Sequence, residues 1–120
     1  MAKWSGSKWV RPERRLALYA RDFYSCVYCG AGIEDGIQLT LDHLKPRSKG
    51  GDNENRNLVT ACKKCNSSRG NRSVIGFCRG VAVYINESPE VIHKRVLNAR
   101  KRVIDIEGAK AIIRNRKLNK

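Results

Sequence analysis

The sequence predicts a small α+β fold, in which a β-hairpin with a long connection runs into a helix, with one helix before it and a helical extension after it. Three observations carry that expectation. Residues 37–41 (IQLTL) alternate apolar and polar β-formers, and residues 58–60 (LVT) supply a second short strand. Pro12 and Ser88-Pro89-Glu90 are helix starts. Each has proline at a first helical position, and the second adds a serine cap and an acidic first turn. Two C-x-x-C pairs, Cys26/Cys29 and Cys62/Cys65, bracket the hairpin. Four soft donors on two tight turns suit a tetrahedral zinc that staples the elements together.

Along the chain, residues 1–11 (MAKWSGSKWVR) form a basic arm with two tryptophans, of which Trp9 is expected in the core and Trp4 is left unassigned. From Pro12, the positions of Leu16, Ala17, Leu18, Tyr19, Ala20 and Phe23 give a helical pattern to about Asp22. The first cysteine knuckle follows, and the strand from Ile37 runs on into Asp42-His43. Neighbours on a regular strand face opposite ways, so a joint role for those two residues needs the chain to leave strand geometry there. Pro46 and the polar stretch Ser48 to Asn53 provide a loop. A helix is expected from about Lys63 to Arg72, through the second knuckle. Val74 to Ile85, apolar with two glycines, reads as a strand or a loop. The Ser88-capped helix lines one face with Val91, Ile92, Val96, Leu97, Ala99, Val103 and Ile104. Asp105 caps a last helix through Ala109, Ile112 and Ile113, before the basic tail Arg114 to Lys120.

A chain of 120 residues suits one domain. We divide it into a basic arm (1–11), a zinc-stapled core (12–73) and a basic helical extension (74–120). Hydrophobic content of 41% and a mean hydropathy of −0.54 leave little surplus apolar surface, so a metal staple would matter to stability. No apolar run is long enough for a transmembrane helix, and Met1 to Arg15 lacks the apolar stretch of a signal peptide. A cytoplasmic location is therefore expected, where paired cysteines hold metal more often than they form disulfides. The net charge of +14 points to a polyanion partner. Without an apolar amphipathic anchor, nucleic acid is a better fit than a membrane surface.

The residues between the knuckles carry the chemistry. His43 is the side chain best able to take a proton from water near neutral pH, and Asp42 beside it is a hard-oxygen donor for Mg²⁺ or Mn²⁺. Asn57 and Asn66 offer neutral amide oxygens and loop-bracing hydrogen bonds. Singly, each is ordinary: an Asp-His pair often just ends a strand, and asparagine is common in loops. Cys78 reads as a small core residue and His93 as a surface or boundary residue.

The joint order is more specific than its parts. Asp42-His43, Pro46-Arg47-Ser48-Lys49-Gly50-Gly51, Asn57-Leu58-Val59, Cys62-x-x-Cys65-Asn66 and Arg69-Gly70, over about residues 14 to 73, resemble the HNH endonuclease family in its four-cysteine zinc form. The resemblance implies a ββα-metal (His-Me finger) core and hydrolysis of nucleic-acid phosphodiesters with one divalent ion. It implies that His43 is the general base, Asp42 and Asn66 hold the catalytic ion, and Asn57 braces the loop opposite the histidine. With asparagine at position 66, where the family's name-giving residue is a second histidine, the chain resembles an H-N-N variant. An amide oxygen there favours Mg²⁺ or Mn²⁺ over Zn²⁺ or Ni²⁺. Arg69, Lys45 and Arg47 are candidate nucleic-acid contacts. The expected function is a metal-dependent DNA endonuclease, with RNA second as substrate and a phage or mobile element as setting. The alternative is a non-catalytic zinc-binding module that binds nucleic acid. Oligomeric state and target specificity are left open.

Overall fold

The computed structural model describes residues 9–118, and the expectation for Trp4 lies outside them. Within that span the elements run α1 (Pro12–Arg21), β1 (Leu39–His43), β2 (Leu58–Cys62), α2 (Lys63–Arg69), α3 (Val74–Ile85), α4 (Pro89–Lys101) and α5 (Ile106–Leu118). The strands pair antiparallel, Leu39 opposite Cys62 through His43 opposite Leu58. The result is mixed helix with a two-stranded antiparallel sheet, as the α+β reading expected.

Alternation along β1 and β2 divides the chain into two layers. Leu41 and Leu58 point to the side of α1, where they pack with Val10 and Leu18 and with the half-buried Trp9, Tyr19 and Ile104. Val59 and Ala61 point the other way, into a larger core built from the cysteine knuckles, α3 and α4, through Tyr28, Phe77, Cys78, Val81, Ile92 and Val96. A buried ion pair fastens α1 to the sheet. Arg21 grips Asp22 at 2.8 and 3.0 Å and donates to the Leu58 carbonyl, while Asp22 accepts from the Thr60 amide.

Two sequence expectations are corrected. Residues 74–85 form a helix, not a strand or a loop. Ser73 caps it by accepting from the Gly76 amide. The spacing of buried Phe77, Cys78, Val81 and Ala82 is that of a helix face, so burial overrides the cost of two glycines. The second helix stops at Arg69, because Gly70 turns out with a φ of 53°. Strand geometry persists through Asp42 and His43, both of which keep cross-strand partners. Trp9 and Cys78 lie where the sequence put them, half-buried against the smaller core and fully buried in the larger one.

Candidate active site

The two knuckles meet. The sulfur atoms of Cys26, Cys29, Cys62 and Cys65 all lie within 4.8 Å of one another, the one such group of metal-ligating side chains among the described residues. Each knuckle turns a backbone amide onto its own first sulfur, Cys29 N to Cys26 at 3.5 Å and Cys65 N to Cys62 at 3.4 Å. Without a cation the quartet cannot carry four negative charges. Hydrogen bonds from Cys26 and Cys65 lower the half-exposed Cys29 thiol to about 2. The bond to Cys29 pushes Cys26 up to about 12. Cys65 is raised by its bonds to Cys26 and Cys29 and by burial. Four sulfurs so close, with amides already turned to them, fit a soft divalent ion that would let all four ionise.

The last residues of β1 present different chemistry on the strand's two faces. On the face toward the larger core, Asp42 is 5% exposed, and its Oδ2 accepts from the Tyr28 hydroxyl at 2.6 Å and Arg69 Nη1 at 2.7 Å. Burial raises the carboxyl above its ordinary value, against the pull of Tyr28 and Arg69. Burial and the Asp42 charge in turn keep the Tyr28 hydroxyl protonated, so it remains a donor. Both bonds fall on Oδ2, which leaves Oδ1 unengaged among the described residues. Asn66, in the first turns of α2, donates from Nδ2 to Thr40 Oγ1 at 2.9 Å and to the Leu41 carbonyl at 3.1 Å. Thr40 and Asp42 are two residues apart and share a face, so Asn66 is held on the side of the strand where Asp42 lies. Both bonds use Nδ2, and Oδ1 has no hydrogen bond among the described residues.

On the other face, the His43 ring lies 4.9 Å from the Trp9 ring, and its Nε2 lies 2.8 Å from Asn53 Oδ1. The loop that carries Asn53 is tied at several points. Asn57, buried, accepts from the Lys45 amide at 2.9 Å and donates to the Lys45 and Asp52 carbonyls at 3.1 and 2.8 Å. Arg14 of α1 donates to Asn55 Oδ1 and to the Asn53 carbonyl. Gly51 is required in this loop, since a Cβ there would lie 1.7 Å from the Lys45 carbonyl oxygen.

Comparison with known proteins matches residues 26–72 to the family model described as HNH endonuclease. That span holds both knuckles, the β1–β2 hairpin and α2. Residues 26–72 form an HNH endonuclease domain. Across 58 residues, 48% of its length, the chain is also 43% identical to the CRISPR-associated endonuclease Cas9 of Corynebacterium diphtheriae. The chain spans about 5% of that protein's length.

Within the HNH domain, the nominated residues separate into groups. Asp42 and Asn66 lie on one face of β1, and His43 lies on the other; among the described residues no hydrogen bond joins the ring to the carboxylate. Lys45 and Arg47 are exposed in the loop. Arg69 is corrected. It is 1% exposed, and its guanidinium is consumed by Asp42 and by the His43, Leu44 and Arg72 carbonyls, so it cannot reach out to a phosphate. It fixes the end of β1 instead. Sequence reasoning missed Tyr28 and Asn53. Tyr28 sits inside a knuckle, where its apolar ring reads as core. Asn53 belongs to a run of turn-forming residues that carries no signal of its partner.

Proposed function

We propose that this chain is a single-domain, metal-dependent DNA endonuclease. In this reading residues 12–73 are the ββα-metal core, residues 1–11 a basic arm and residues 74–120 a basic helical extension. Zinc on Cys26, Cys29, Cys62 and Cys65 holds the fold. Asp42 Oδ1 and Asn66 Oδ1 would hold Mg²⁺ or Mn²⁺. Two protein oxygens are few, which suits an ion that keeps most of its shell as water and phosphate oxygens. When bound, that ion would supply positive charge beside the phosphate and the departing oxygen. Neutral His43 takes the proton from the attacking water. Arg69 and Tyr28 keep Asp42 charged and aimed while burial works against its charge. Asn57 holds the loop opposite His43, and exposed Lys45 and Arg47 meet the phosphate backbone, drawn by the +14 charge.

The observation that carries the proposal is the shared face of Asp42 and Asn66 at the end of β1, where His43 stands in the same two-residue stretch. One observation favours the alternative, a non-catalytic zinc-binding module: the His43 ring and the Asp42 carboxylate point to opposite sides of the strand. Incubation with supercoiled plasmid decides between them. The nuclease reading expects cleavage with Mg²⁺ or Mn²⁺, none with EDTA, and loss on Asp42→Asn. A zinc-loaded, folded protein that binds the plasmid without nicking it in either metal supports the alternative.

A further inference from the structure

We propose that Asn53 is the positioning residue that fixes the tautomer of His43, holding the proton on Nε2 and leaving Nδ1 as the basic nitrogen. The inference deepens the nuclease reading and rests on it for its kinetic consequence, though the tautomer itself can be read without any activity.

An asparagine side chain can turn either its oxygen or its nitrogen toward a neighbour, and an imidazole can carry its proton on either nitrogen, so a single contact between them leaves both roles open. Here a third group removes the ambiguity. Arg47 Nη1 lies 3.0 Å from the same atom, Asn53 Oδ1, that lies 2.8 Å from His43 Nε2. A guanidinium has only donors. The atom that receives Arg47 must be the amide oxygen, because a flipped amide would set N–H against N–H. His43 Nε2 must then be the donor, and its proton stays there while the ring is neutral.

The rest of the loop makes that oxygen a fixed point. Arg14 holds the Asn53 backbone carbonyl, and the Asn57 side chain binds the Asp52 carbonyl one residue earlier. The Trp9 ring, 4.9 Å from the imidazole at an interplanar angle of 38°, limits its tilt. One ring nitrogen and a face of the ring are thus engaged by side chains, and among the described residues Nδ1 has no hydrogen-bond partner. A general base whose proton sits on the wrong nitrogen loses most of its effect even when its position is intact.

The zinc-loaded 120-residue chain, labelled with ¹⁵N-histidine and studied where the rings are neutral, reads the tautomer directly. The expected His43 spectrum has one protonated and one bare nitrogen, well separated, with a slowly exchanging proton on Nε2. In Asn53→Ala the two shifts should move toward the mixed values of free imidazole and the proton should exchange faster. On plasmid, Asn53→Ala should lower kcat between about 10- and 1,000-fold with KM within about twofold, while Asn53→Asp, which keeps an acceptor oxygen, should recover much of that loss. A wild-type ring with its proton on Nδ1 overturns the inference, as does an alanine variant with wild-type kcat. The wild-type spectrum needs no variant to fold. If the wild type shows the Nε2 proton but cuts no plasmid, it is the nuclease reading that fails, and the tautomer assignment stands.

Discussion

Arg69 shows how one side chain can be worth more inside than outside. The sequence offers it as a cation on a basic helix, and the structure uses its donors on Asp42 and on the backbone leaving β1. A buried pair of this kind gains little over an apolar one, yet removing one partner strands the other. Arg69→Ala should therefore cost about 3–5 kcal/mol in urea unfolding of the zinc-loaded protein. A loss below about 1 kcal/mol, the range of exposed ion pairs, would show that Asp42 is solvated after all. Lysine should not restore the loss, since three donors on a single nitrogen cannot reproduce bonds fanned from three guanidinium nitrogens to a carboxylate and three carbonyls. Gly51 is constrained as strongly by contact rather than charge. Gly51→Ala puts a methyl group into the Lys45 carbonyl and should displace the loop that carries Asn53. A lower melting temperature with slower plasmid cleavage is the expected outcome, and an unchanged melting temperature would mean that the loop yields freely.

At the scale of elements, the cysteine cluster does what a larger core would do in a longer chain. It joins the first knuckle to the β2–α2 junction, and Tyr28 extends from that knuckle to Asp42. Structural zinc in small modules contributes roughly 10–16 kcal/mol, more than such domains have in total. Cys62→Ser, or removal of zinc by a strong chelator, should abolish the cooperative unfolding transition. Retention of the native circular dichroism spectrum by the metal-free protein would count against the staple. These elements were legible in the sequence because their signals are local: cysteine spacing, a serine cap and proline at 88–89, and strand alternation at 37–41. Residues 74–85 were not, because two glycines and an apolar run look alike in a strand, a loop or a buried helix until the packing of Phe77 and Val81 against α4 is known. Asn53 was illegible for a related reason. Its partner is ten residues away, across a turn whose path depends on the close approach at Gly51 and on the Asn57 side chain. Asp42, His43, Asn57 and Asn66 could be picked out only as an ordered set, and which face of β1 each takes could not be read from it.

For the whole molecule, charge and catalysis make separable demands. An excess of 25 lysines and arginines over 11 acidic residues should give nucleic-acid binding that is strong at low salt and weak at high salt. Between about 50 and 200 mM salt, affinity for duplex DNA should fall at least tenfold, whatever its sequence. A flat salt dependence would mean that the basic surface is not the binding face. Among the described residues, no helix is long and apolar enough to cross a membrane. The central claim is that the end of β1 is a hydrolytic centre and not just a folded surface that holds DNA. The most direct measurement is the rate at which supercoiled plasmid is nicked in Mg²⁺ by wild type and by His43→Ala, at equal zinc content and equal DNA occupancy. The account predicts that the variant binds as wild type does and cuts at least about 100-fold more slowly. Equal nicking rates would contradict it.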